Sequence, residues 1–325
     1  MSTLSDEKPA IYRAGSRPGR RSPDLFQVLC WVASVATVAT LAWMILQIGQ
    51  QSWPAIKEFG LGFITGERWI PNRDQYGVLP FLLGTTISSL IALLFALPLG
   101  LSIAIFLSED FLPLPIRQVV RFTVEMLAAI PSVVYGLWGI FVVIPLVQQW
   151  GKWLAKTFED VPVLGVVFDG PARSNSMLTA SIVLALMILP TITAISRNAL
   201  VAVPATLREG SYALGATRWE TIFGVLLPTA APGIVAATIL ALGRAMGETM
   251  AVAMLIGNSD RLTWSLLKPA GTLASKLANE FGEASGIQVN ALMYAALLLM
   301  GLTLTVNILG ELVLRYTQRK TAGIR

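Results

Sequence analysis

Arg244 and Glu248 stand four residues apart in ALGRAMGETMAV (241–252), a run otherwise apolar enough for lipid. A charge at the centre of a bilayer costs about 2.5 kcal/mol or more on insertion scales, so a span that carries two has a use for them. Two chemistries fit. On a continuous helix the side chains lie one turn apart and can offset one another as an internal ion pair, although the acid-first order is the better one. Alternatively, the guanidinium is a planar fork of donors that can hold an oxyanion bidentately, the more strongly in low dielectric. Gly243 and Gly247 have the same spacing and let a neighbouring backbone approach one side of the helix. The stripe carrying Arg244 and Glu248, with Thr249 beside it, then faces a packed bundle or a cavity instead of lipid.

The composition says what such a helix belongs to. Of 325 residues 54% are hydrophobic and 13% charged, and the mean hydropathy is +0.67. A chain of that kind prefers lipid to water. It has no histidine, which excludes His metal sites, His general bases and His proton relays. Cys30 is the sole cysteine, so no internal disulfide forms. No phosphate-cradling GxxxxGK[ST] loop, GxSxG, HExxH or CxxC occurs. Catalysis, a bound cofactor and a metal are therefore not expected, nor is a nucleic-acid partner.

Six stretches are long enough to cross about 30 Å of hydrocarbon as helices. They fall near 25–48, 78–107, 119–147, 177–200, 229–257 and 288–314. The first is read as a retained signal anchor, because its apolar core is too long for a signal peptide and glutamines follow it. Fourteen basic residues lie on the side of the termini and nine on the other, where nine acids cancel them. The positive-inside rule then puts both termini in the cytoplasm. Residues 1–24 read as a basic tail, 25–77 as the first span and an external loop, 78–316 as a five-span core, and 317–325 as a second tail. Trp53, Trp69, Trp150, Trp153 and Trp264 are expected at the outer interface, and VQQWGKWLAKTFED (147–160) as an amphipathic segment lying there. Pro98 and Pro131 are expected to interrupt spans two and three. Glu125, early in the third span, either joins the path of Arg244 or sits hydrated at the cytoplasmic edge.

The long inner connection, VPATLREGSYALGATRWETIFGVLLPTA (203–230), has a helical grammar of its own. Pro204 suits a first turn, Gly215 a C-terminal stop, and Thr217 with Glu220 a capping box that starts a second helix. Two short helices presenting Leu207 and Tyr212 make a protruding knob.

This loop resembles that of ATP-binding-cassette importer permeases, whose pattern is EAA-x3-G-x9-I-x-L-P. Glu209, Gly210, Ser211, Gly215, Val225, Leu227 and Pro228 fall at its spacing, with small-for-small and apolar replacements at three of them. GRAMGETMAVAMLIGN (243–258) is similar to the fifth span of PstC-type permease subunits of phosphate-specific importers. LPFLLGTTISSLIALLFALPLGLSIAIFLSE (79–109) and AAIPSVVYGLWGIF (128–141) fit the same family, and the likeness covers roughly residues 25–316.

The resemblance implies an all-α, six-span permease of type I ABC importer architecture in a bacterial inner membrane. It also implies a second, PstA-type permease chain, two copies of a PstB-type cytoplasmic ATPase that uses the ATP, and an external PstS-type phosphate-binding protein. In that setting Glu209, Gly210, Gly215, Leu207 and Tyr212 couple to the ATPase, and Arg244, Glu248, Thr249 and Glu125 line the path of inorganic phosphate. Glu248 then has a purpose beside an anion: phosphate keeps a P–OH that a carboxylate can accept, whereas sulfate has none and is repelled. Two rivals stand beside this reading. One is an ABC permease for sulfate or molybdate. The other is an ion-coupled secondary transporter, a class that normally shows repeated halves, which this chain lacks.

Overall fold

A backbone in lipid has only its own groups to bond, so long apolar runs fold as helices. A computed structural model describes residues 25–109, 111–170 and 175–322, with side chains as far as Gln318. Arg13, Arg17, Arg20 and Arg21 of the basic N-terminal tail, and the end of the C-terminal tail, lie outside the described residues. Among the described residues the fold is all-α, the extended pairing amounting to one isolated bridge between Ile70 and Gln75. Six helices are long and apolar enough to cross a membrane: Leu25–Phe59, Leu79–Ser108, Ser132–Thr157, Met177–Val201, Arg218–Gly247 and Ile287–Gln318.

The elements in chain order are α1 (Leu25–Phe59), α2 (Gly62–Thr65), α3 (Leu79–Ser108), α4 (Leu114–Ala129), α5 (Ser132–Trp138), α6 (Ile144–Thr157) and α7 (Pro162–Val167). There follow α8 (Met177–Val201), α9 (Ala205–Ala213), α10 (Arg218–Thr221), α11 (Leu227–Gly247), α12 (Met250–Leu255), α13 (Leu273–Glu280) and α14 (Ile287–Ala322). One π-helical turn joins α5 to α6 and another joins α10 to α11.

Two compact units divide within α1, after Gln47. In the first, Ser34, Thr37 and Thr40 donate to carbonyls four residues back at 2.8–2.9 Å, so their hydroxyls need no outside partner. In the second, α8 is the central helix, with 16 of its 25 residues buried. Without a hydrophobic drive between helices in lipid, close backbone approach does the work, and small residues permit it. Gly100 of α3 meets Ile192 of α8, and Thr193 donates to the Gly100 carbonyl at 3.3 Å. Gly233 of α11 meets Ala199 of α8, and Gly310 of α14 meets Ile239 of α11.

Residues 48–77, grouped with the first span in the sequence, pack with the core. Phe63, Trp69, Tyr76 and Phe81 form a buried aromatic cluster with Leu273, Leu292 and Tyr294. Phe63 stacks on Tyr294 with centroids 4.4 Å apart. Trp69 is thus a core residue and not an interfacial anchor, because its indole donates to Glu280 at 2.8 Å inside this cluster. Lys276 is buried beside it, paired with Asp260 at 2.6 Å and Glu280 at 2.5 Å, its ammonium over the rings of Trp69 and Phe81. Two carboxylates and two aromatic faces offset the cost of burying that charge.

Span boundaries differ from the sequence reading, the first helix running on to Phe59. The third span does not start at 119: Pro131 ends α4, and the span proper runs from Ser132 through Thr157, absorbing most of the 147–160 segment. Pro98, by contrast, lies within an unbroken α3. The fifth span does not continue to 257, since α11 stops at Gly247 and α12 begins at Met250.

Candidate functional site

The break in the fifth span redefines the charged pair. Glu248 is extended, with ψ 127°, so it does not sit one helical turn above Arg244. No ion pair joins the two among the described residues. Each charge instead stands at the helix end that suits its sign. Arg244 is in the last turn of α11, where partial negative charge gathers, and Glu248 precedes α12, where partial positive charge gathers. The Glu248 carboxylate accepts from the Ala251 amide at 3.5 Å, and the Thr249 hydroxyl donates to the Gly247 carbonyl at 3.2 Å.

That leaves the guanidinium. Arg244 is exposed on the surface of this chain, without an ion-pair or hydrogen-bond partner among the described residues, while Glu248 and Thr249 are half-buried beside it. Its charge reaches the phenol of Tyr135. The Tyr135 hydroxyl donates to the Leu127 carbonyl at 2.8 Å. In a continuous helix that carbonyl would accept from residue 131, which is proline and has no N–H. Tyr135 thus closes the gap between α4 and α5. Sequence reading passed over Tyr135; the signal was a hydroxyl-bearing residue four positions after a span-breaking proline.

Gly243 and Gly247 do not act together. A side-chain carbon at 243 would stand 3.2 Å from the amide of Asn307 in α14, whereas one at 247 would meet nothing within 4 Å. One glycine serves packing, and the other lies on the open stretch with Arg244. Glu125 is not brought to Arg244. It pairs with Arg121 at 2.8 Å on the exposed face of α4 and lines a cavity of about 130 Å³ with Arg197 and Asn198.

The 203–228 loop folds largely as its sequence suggests. Pro204 precedes α9, Gly215 stops it with φ +85°, and Thr217 with Glu220 forms a full capping box. The second helix is no separate element, however: α10 runs through the π-helical turn into α11, whose last turn carries Arg244. Leu207, Tyr212 and Glu209 are exposed, as is Gly210, beside which a Cβ would meet nothing within 4 Å. Leu214, unremarked in the sequence, is the most exposed of the knob's apolar side chains at 91%.

The knob is braced against the end of α3. Arg208 pairs with Glu109 at 2.9 Å, Trp219 stacks between Phe111 and Phe223, and the Arg218 guanidinium lies over the Phe111 ring. A cavity of about 450 Å³ opens between Glu109, Arg208, Tyr212 and Arg218. These long-range pairs were invisible in the sequence, where Glu109 and Arg208 stand 99 residues apart.

Comparison with known proteins fits this geometry. Residues 96–323 match the family model "Binding-protein-dependent transport system inner membrane component". The chain is 37% identical to the phosphate transport system permease protein PstC of Mesorhizobium japonicum, over 99% of this chain and 100% of that protein. It is 42% identical to the protein of the same name in Pasteurella multocida, covering 83% and 84% of the two chains. Among solved structures, a bacterial ABC transporter involved in the import of alginate superposes with a TM-score of 0.58 at 15% identity, over 88% of this chain and 96% of that one. The MetNI methionine ABC transporter in an inward-facing form gives 0.55 at 20% identity, over 74% and 95%. Six membrane-length helices, a braced loop that runs into the fifth span, and a family match over most of its length establish that this chain belongs to the binding-protein-dependent transport system inner membrane components, as a multi-pass permease subunit.

Proposed function

We propose that this chain is a translocation subunit of an ATP-driven importer of inorganic phosphate. The observation that carries the reading is Arg244: a guanidinium without an ion-pair partner among the described residues, exposed beside a break in an otherwise apolar span. The printed function of the PstC relatives supports the choice of anion. The chain works with a second permease chain of similar design, two copies of a cytoplasmic ATPase and an external phosphate-binding protein. Both termini face the cytoplasm. This subunit binds no nucleotide; it converts the closure of the ATPase pair into altered access.

The ATPase grips the knob at Leu207, Tyr212, Leu214 and Glu209. Its motion passes through α10 and the π-helical turn into α11. The far end of α11 carries Arg244, which attracts the anion and holds two of its oxygens. Glu248, beside it, accepts a hydrogen bond from the P–OH that phosphate keeps and sulfate lacks. Thr249 contributes its hydroxyl oxygen. Glu125, on the far side of the α4 break, stands where the path meets the cytoplasm.

Substitution of Glu248 tests the site. Glu248→Gln keeps an oxygen to accept from Ala251 and removes the repulsion toward sulfate. In proteoliposomes holding the full complex and supplied with a binding protein that delivers both anions, the sulfate-to-phosphate flux ratio is expected to rise by about tenfold or more, the scale of one lost polar discrimination. An unchanged ratio in an assembled complex would leave Glu248 as a helix-end charge alone, worth roughly 0.3–1 kcal/mol.

The knob has its own test. A Cβ at residue 215 meets nothing within 4 Å, so space does not oppose the first carbon of a side chain in Gly215→Leu. The left-handed φ does, at about 1–2 kcal/mol for an L-residue. Relaxing it unwinds the turn between α9 and α10 and slackens the linkage. ATP hydrolysis is expected to continue while phosphate uptake falls severalfold. Uptake at the wild-type rate per ATP would remove the coupling role.

A further inference from the structure

Two cavities meet at the end of the third span. One is an apolar groove of about 650 Å³ between α3, α6 and α8, lined by Leu94, Phe95, Leu146 and Leu178 with Trp138 and Trp150 at its sides. The other, of about 500 Å³, lies against α7 and is lined by Lys152, Lys156, Glu159 and Asp169. Phe168 lines both, so the two lie on either side of one ring.

The charges in the second cavity are unequal. Lys152 and Lys156 stand one turn apart on α6, exposed, and neither has an ion-pair partner among the described residues. Asp169 is held by Lys268 at 2.5 Å, which leaves Glu159, among the described lining residues, to oppose two ammonium groups. Trp150 and Trp153 flank the lysines with exposed rings, placing this end of α6 at the level where aromatic side chains favour a membrane surface.

We propose that the composite site binds one anionic phospholipid, its acyl chain along the apolar groove and its phosphodiester between Lys152 and Lys156. Complementarity selects this occupant. A neighbouring helix would cover the groove and leave both lysines unmatched. Free inorganic phosphate would meet the lysines and leave the groove bare. A lipid with one phosphate and a neutral remainder satisfies both, and a zwitterionic lipid gives up the surplus charge. The site is built mainly from α3, α6, α7 and α8, and it does not depend on the reading of Arg244.

The test is lipid binding by the intact purified complex, followed by native mass spectrometry as phosphatidylglycerol or phosphatidylethanolamine is titrated in. Wild type is expected to retain phosphatidylglycerol preferentially. Replacing both lysines, K152Q with K156Q, should weaken that lipid roughly thirty-fold, about five- to six-fold per lysine, to the level of phosphatidylethanolamine. Leu94→Trp fills the groove from an exposed position and should weaken both lipids alike. An unchanged affinity in the double lysine variant overturns the proposal. So does displacement of the lipid by millimolar inorganic phosphate, which would mark a soluble-anion site. Capture of residues 25–47 or of another protein chain by a photo-crosslinker at position 94, in place of lipid, overturns it too.

Discussion

Arg244→Gln is expected to abolish phosphate uptake while the complex still assembles. The guanidinium makes no ion pair or hydrogen bond within the described residues, so its removal breaks no internal bond of this chain. What is lost is a charge-assisted, two-pronged contact to the anion. Truncating one partner of such a pair costs roughly 2–5 kcal/mol, or about thirty- to several-thousand-fold in rate if the contact is made on the way through. Glutamine keeps the approximate length and some donor capacity without the charge, so a loss cannot be assigned to a hole. Arg244→Lys should recover a minor fraction, because an ammonium offers a point charge without the planar fork. The measurement is phosphate uptake into proteoliposomes beside the yield of assembled complex. Undiminished uptake would remove Arg244 from the path. A complex that fails to assemble would instead place the side chain at the contact with the second permease chain.

Gly84→Ala is expected to have the largest effect on stability. A Cβ at this position in α3 would stand 2.0 Å from the carbonyl oxygen of Gly271 and 3.1 Å from its carbon, and both are backbone. No rotamer relieves that contact. The segment carrying Gly271 must leave α3, and two other features depend on the same approach. The Thr85 hydroxyl accepts from the Leu273 amide at 3.0 Å, and the buried Lys276 lies between the Phe81 and Trp69 rings. Overpacking a core typically costs 1–3 kcal/mol and at times more; with backbone on both sides the upper end applies. The purified complex should lose on the order of 10 °C in melting temperature, with a lower yield from membranes. Gly49→Ala is the control, since a side chain there meets nothing within 4 Å. Equal melting temperatures for Gly84→Ala and wild type would mean that the helices are not this close.

The residues alone determined the class of protein and much of its layout. Hydropathy fixes six spans because lipid leaves the backbone no alternative to helices. The knob is legible because its signals are local: Gly215 supplies a left-handed stop, and Thr217 and Glu220 satisfy each other three residues apart. The resemblance to phosphate permeases rests on similarly short patterns. Tertiary structure decided everything that depends on where a helix stops and what lies opposite. Hydropathy does not separate 229–247 from 250–257, so the break at Glu248 was hidden, and with it the conversion of an apparent i, i+4 ion pair into two charges at two helix ends. Pro98 and Pro131 read alike, yet α3 is unbroken at Pro98, while at Pro131 the chain breaks and the Tyr135 hydroxyl closes the gap by bonding to Leu127. Glu109 with Arg208, and Lys276 with Asp260 and Glu280, were only counts of charge until packing joined them. Lys276 and Glu280, at helical spacing, were the one legible part of these clusters; the rest come from distant stretches that only the close approach of helices brings into contact.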